Sequence, residues 1–172
     1  FVVSRDGGEA QPLTGGDFDD KDPAWSPDGR WVAFASARHA DRDYDSAADV
    51  WLVPAEGGEP RRVTSTAGPV SCPAFSPDGR MIAYLGHPYP RDASRNVRVY
   101  AVLVEGGAST CLTEALDRNC EPIVGAVGAS WLGESGSVLF LVEDQGDVPA
   151  YRVAASGVGA PERIIGGTRQ VT

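Results

Sequence analysis

Two sequence markers recur along this chain at one interval, and that interval constrains its architecture more than any other feature. Residues Asp22 to Arg30 read D-P-A-W-S-P-D-G-R, and Cys72 to Arg80 read C-P-A-F-S-P-D-G-R, offset by 50. The second marker is Gly7-Gly8-Glu9 followed by Pro12-Leu13-Thr14. It returns as Gly57-Gly58-Glu59 with Arg62-Val63-Thr64, and again as Gly106-Gly107 with Cys111-Leu112-Thr113. A degraded third copy opens at Ala129-Ser130-Trp131, continues through Val138 to Leu141, and carries Tyr151-Arg152-Val153 ahead of Gly157. Periods of this size mark repeat architectures in which each unit buries its surface against its neighbours.

Each repeat resolves into four short strands. Pro-Ala-Trp-Ser is an inner strand, and Ser26-Pro27-Asp28-Gly29 is a turn, with proline presetting φ and glycine supplying the left-handed residue. The second strand is Trp31 to Ala35, matched by Met81 to Leu85. The third is Val50 to Val53, matched by Val99 to Leu103. A Gly-Gly hairpin leads to an outer strand, Glu59 to Thr64, whose proline and paired arginines suit a sheet edge. The second strands are apolar on both faces, as expected of a sheet covered on both sides. Four strands per repeat, buried on both faces, at a period near fifty, predict an all-β chain of propeller blades, with a β-sandwich as the alternative.

On this reading, residues 22–64, 72–113 and 129–165 are full four-stranded blades. Residues 1–14 are the last two strands of an earlier blade, and 167–172 begin a later one. Closed propellers use about four to eight blades. Three blades would leave two apolar faces in water, so the chain is expected to be a partial propeller from a longer protein, or to close by homo-oligomerisation.

No catalytic residue is expected here. No serine has glycines at both −2 and +2, so there is no nucleophile elbow. Gly133-Glu134-Ser135-Gly136 stands where other repeats have Pro-Asp-Gly and reads as a turn. The two histidines, His39 and His87, read as exposed loop residues. Asp41, Asp43 and Asp45 begin like a calcium loop, but Ser46 and Leu52 stand where glycine and glutamate are needed, so no metal is expected. Cys72, Cys111 and Cys120 lack zinc spacing and read as free, mostly buried thiols of a reducing compartment, hence a cytoplasmic expectation. Trp25, Trp31, Trp51 and Trp131 read as core. No phosphate-cradling glycine loop is present, and no cofactor is implied. A net charge of −9 without basic clusters argues against nucleic acid and anionic membranes. The longest apolar run, Val138 to Val142, has the length of a strand.

Long connections join the second and third strands: Ser36 to Asp49 in one repeat and Gly86 to Arg98 in the next. A minimal blade needs only a tight hairpin there. Both inserts leave the same end of equivalent strands, so one face of the assembly is decorated, where binding commonly lives.

The stretch Asp22 to Phe34 resembles the repeat shared by TolB-like propellers and the propellers of prolyl-oligopeptidase-type serine peptidases. Asp49 to Pro60, Ile82 to His87, Leu112 to Arg118 and Val138 to Asp144 are similar to the acylaminoacyl-peptidase and dipeptidyl-aminopeptidase branch. That resemblance implies a seven-bladed propeller capping an α/β-hydrolase domain that follows C-terminally. There a Ser-Asp-His triad cleaves short or N-acylated peptides, and the propeller limits access by size. None of the triad motifs lies in this chain, so the chain itself is expected to be non-catalytic, and no substrate-binding residue is assigned. The alternative is a TolB-like protein-binding propeller without a hydrolase partner. TolB-like repeats have tight hairpins between their middle strands, so the two inserts favour the peptidase. Gly-His and Trp-Asp signatures of WD-type scaffolds are absent.

Overall fold

A computed structural model describes residues 1–122, 128–133 and 136–167. They form three four-stranded antiparallel sheets, each a simple meander. Sheet I holds β1 (Asp20–Trp25), β2 (Trp31–Ser36), β3 (Asp49–Pro54) and β4 (Arg61–Arg62). Sheet II holds β5 (Val70–Phe75), β6 (Met81–Gly86), β7 (Arg98–Leu103) and β8 (Thr110–Cys111). Sheet III holds β9 (Ser130–Trp131), β10 (Ser137–Leu141), β11 (Ala150–Ala154) and β12 (Glu162–Ile165). No α-helix occurs among the described residues.

The Ser-Pro-Asp-Gly turn has a physical reason for recurring. The Ser26 hydroxyl donates to Asp28 Oδ1 at 2.6 Å and accepts from Trp31 N at 2.9 Å, so one side chain ties the turn to the strand after it. Gly29 N donates to Ser26 O, with Gly29 at φ +71°, a conformation that disfavours any side chain. Ser76, Asp78, Met81 and Gly79 repeat the set, the glycine at φ +70°. The Asp28 carboxyl is held down to about 2 by the Ser26 hydroxyl and then by Arg30.

The recurring threonine lies two residues past the outer strand and caps the third. Val50 N donates to Thr64 Oγ1 at 2.9 Å, and Val99 N donates to Thr113 Oγ1 at 3.0 Å. Both threonines are buried, so each hydroxyl satisfies a backbone donor that water cannot reach.

In β2 and β6 all residues but the first are buried. Ile82 and Tyr84 pack toward sheet I with Val50, Leu52 and Val63, whereas Ala83 and Leu85 pack toward sheet III with Val138 and Phe140. Sheet II is therefore a wall between two cores. The outer faces of the assembly are less bare than expected. Val32, Phe34 and Val53 of sheet I cluster with Leu13, and Leu141 and Ala150 of sheet III with Val148. The expected strand pair in 1–14 reduces to one bridge, Val2 to Gln11, the counterpart fifty residues earlier of Leu52 to Arg61.

Asp22 and Cys72 each adopt positive φ, at 53° and 50°, where the β1–β2 and β5–β6 registers slip. These paired bulges link the inner strands: Cys72 N donates to Asp22 Oδ2 at 2.9 Å. On its other side Cys72 lies against Gly128 so closely that a methyl group there would collide with its Cβ.

Two sequence expectations need correction. Trp25 is not core but 53% exposed. Its counterpart Phe75 packs against the core between sheets I and II, and Trp131 reaches sheet II by donating from Nε1 to Ala74 O at 2.9 Å. The aromatic at this position faces the preceding sheet, and Trp25 has none among the described residues. Of the cysteines only Cys120 is buried, its thiol pushed up to about 12 by desolvation; Cys72 and Cys111 are half-buried, and all three are free. The expected turn at 134–135 and strand start at 168–172 lie outside the described residues.

Thr113→Val should destabilise the chain by about 1–3 kcal/mol in denaturant unfolding, because Val99 N–H loses its acceptor in a dry site. Thr113→Ser should retain most of the stability.

Candidate functional site at the insert end

The two long connections leave β2 and β6 at the same end and meet. Ser46 donates to the Pro90 carbonyl twice, from its backbone N at 2.9 Å and its Oγ at 2.7 Å. The segment 65–69, which carries the chain from sheet I to sheet II, is bonded to the first insert. Ala48 N donates to Gly68 O, and Thr66 Oγ1 donates to Ala48 O. The decorated face is thus one continuous surface rather than two separate loops.

The acidic residues of the first insert are put to structural use. Asp45 Oδ1 accepts from Ala47 N and pairs with His39 Nε2, both at 2.9 Å, so His39 is fixed within its own insert. The Ala47 N–H, with the neighbouring His39, holds the Asp45 carboxyl below its ordinary value. Asp41 starts a turn, its carbonyl accepting from Tyr44 N. Among the described residues, no three His, Cys, Asp or Glu side chains converge as metal ligands would. In the second insert Asp92 gathers Ser94 and Arg95, and the Arg95 guanidinium lies 4.5 Å from the centre of the Tyr89 ring.

A cluster that sequence reasoning missed anchors the first insert. Arg38 donates from Nη2 to both carboxylate oxygens of Asp20, at 2.8 and 2.9 Å, and from Nε to Ser36 Oγ. Its guanidinium lies over Phe18, Phe34 and Trp51 at 4.6 to 5.4 Å. Only 10% of the Arg38 side chain is exposed. Burial alone would raise the Asp20 carboxyl, but the hydroxyls of Thr14 and Ser36 and the Arg38 charge outweigh it and hold the group below its ordinary value. Nothing in the linear spacing of Phe18, Asp20, Phe34, Arg38 and Trp51 announces this convergence.

His87 overturns its expectation. It is not an exposed loop histidine but 7% exposed. Gly68 lies so close that a Cβ there would overlap the His87 carbonyl, which is why the 65–69 segment can press down over it. Its Nδ1 accepts from Tyr89 N at 3.3 Å, and burial pushes its pKa down. His87 lines a cavity of about 450 Å³ with Ser65, Thr66, Tyr84, Tyr100 and Ser109. Among the described residues no hydrogen bond joins either imidazole to a serine, so no nucleophile–base pair forms.

No family model matches the chain. It is 39% identical over 171 residues to the uncharacterized peptidase YuxL of Bacillus subtilis (strain 168), a match covering 95% of this chain and 26% of that protein. The chain therefore spans about a quarter of the curated relative it matches. Among solved structures, a putative TolB from Agrobacterium tumefaciens superimposes with a TM-score of 0.65 at 22% identity, over 87% of this chain and 47% of that one. A puromycin-hydrolyzing peptidase from Mycobacterium tuberculosis superimposes equally well at 21% identity, over 87% and 22% respectively. These structural likenesses establish a β-propeller-like all-β fold. The resemblance to peptidases with TolB-like repeats read from the sequence holds.

Arg38→Met should cost about 1.5–3 kcal/mol, since it leaves the Asp20 carboxylate unpaired. The Asp20 pKa is depressed on folding from 3.8. Its contribution is therefore present above that value and lost as pH falls through the lower folded value. Asp20→Asn should flatten the acid limb of a stability-against-pH curve, measured by urea unfolding between pH 2 and about pH 6.

Proposed function

We propose that the three sheets are consecutive blades of a larger β-propeller that gates substrate access in a serine peptidase of the acylaminoacyl or dipeptidyl type. The observation that carries the propeller reading is Trp25. At the same repeat position Phe75 and Trp131 are packed against a preceding sheet, and Trp25 is half in water. A further blade on that side would bury it. Blades 22–64, 72–113 and 129–165 then form part of a ring, with 1–14 and 167–172 belonging to its neighbours.

The peptidase reading is supported by the 39% identity to a named peptidase over nearly the whole chain. The inserts favour it over a TolB-like protein-binding propeller, because they build a joined surface at one end of the blades. Catalysis would then belong to a hydrolase domain elsewhere in the parent protein. The gate's role is to exclude large substrates and to offer a wall to short peptides.

The test compares the 172-residue chain with the product of its full reading frame. A serine-directed fluorophosphonate should label the full product at a Gly-x-Ser-x-Gly serine, and the full product should turn over N-acylated or dipeptidyl nitroanilides. The 172-residue chain should do neither. A full frame lacking that motif would return the protein to the TolB-like class. In the full product Trp25 should also become resistant to acrylamide quenching, read as the difference from Trp25→Phe.

A further inference from the structure

The cavity beside His87 is lined by sheet II and by the segment that links it to sheet I, so its existence does not depend on what covers the outer faces. Tyr84 and Tyr100 belong to the sheet II face that meets sheet I, and their rings stack at 5.3 Å with 12° between planes. Ser65, Thr66, Ala67 and Pro69 come from the segment linking the two sheets, and Ala108 and Ser109 from the β7–β8 hairpin.

The repeat supplies an internal comparison. Counting from the capping threonines, Ala67 corresponds to Leu116, and by strand register Tyr84 and Tyr100 correspond to Phe140 and Tyr151. Leu116 packs against the core between sheets II and III. Between sheets I and II, the leucine is replaced by alanine and the phenylalanine by tyrosine. At this place Leu116 fills one interface, whereas beside Ala67 the other keeps a cavity lined in part by hydroxyls.

We propose that this cavity binds a small uncharged molecule that joins an apolar ring to a carbonyl group. Its volume suits such a ligand. No charged side chain lines it, so an ion would enter without a counter-charge and lose its hydration. The stacked tyrosines, Pro69, Pro88 and the two alanines offer apolar contact. The donors are neutral. With Nδ1 accepting from Tyr89 N, uncharged His87 carries its proton on Nε2. Among the described residues that nitrogen has no hydrogen bond, while no buried side-chain nitrogen or oxygen lacks one, so Nε2 is not sealed in the protein interior and His87 lines the open space. Both tyrosine hydroxyls are protonated at neutral pH, as any phenol is, and so add neutral donors.

The probe is benzamide, titrated into the chain while the His87, Tyr84 and Tyr100 ring signals are followed by NMR, with benzoate and benzylamine as charged counterparts. Saturable shifts at those three residues are expected for benzamide, with at least tenfold weaker binding of both ions. Ala67→Leu places a leucine where the next interface has one. It should abolish the shifts and raise the melting temperature. Tyr84→Phe copies the neighbouring sheet and should weaken benzamide several-fold in a folded chain. If Ala67→Leu fails to fold, Tyr84→Phe decides alone. Shifts that do not saturate, equal binding of the ions, or unchanged affinity in the folded variants would overturn the proposal.

Discussion

The structure depends on one constraint: the middle strands of each sheet carry apolar side chains on both faces, so no sheet is stable without a neighbour on either side. Val32–Ser36 and Ile82–Gly86 are buried along their whole length, which a sheet with one wet face does not permit. Everything else accommodates that requirement. The inner strands must lie close enough for Cys72 N to reach Asp22, and the outer strands of sheets I and II are cut to two residues. The chain must cross from outer edge to inner edge between sheets, as 65–69 does. Such crossings run over the ends of the strands, and there the inserts and the cavity are found.

Local chemistry was legible in the sequence because its causes are local. Pro27, Asp28 and Gly29 specify one turn, and the structure builds it twice with the same bonds to the same atoms. The bounds of the middle strands followed from where the apolar runs stop, and the placing of the two inserts at one end from their equivalent positions. What the sequence could not supply was the environment contributed by distant residues. His87 sits after a strand, next to a proline, and nothing in that context distinguishes an exposed imidazole from one covered by Gly68 arriving from the previous connection. Trp25 and Trp131 occupy the same place in the repeat and differ only in whether a sheet stands before them. Arg38 reads as a loop cation until Phe18, Phe34 and Trp51 converge on it.

Positive φ at Asp22 and Cys72 was likewise invisible, since neither residue type signals it strongly. The bulge makes sense only across two sheets. It turns the backbone N–H of Cys72 toward a carboxylate on the inner strand of the preceding sheet, and strain in one repeat is offset by a bond to another. The cavity obeys the same logic. An alanine at position 67 is unremarkable until the equivalent Leu116 is seen filling its interface.

The stack of Asp22, Cys72 and Gly128 along the inner rim also limits how such a protein can be rearranged. The three positions are equivalent in the repeat, yet each side chain answers to the residue after it: a carboxylate to an amide, then a thiol-bearing carbon to a bare α-carbon. A repeat copied from either earlier position into the third would place a Cβ at 128, where it would overlap the Cβ of Cys72. Shuffling or duplicating whole repeats must therefore move these residues in register with their successors. The modules are alike in shape but are not interchangeable parts.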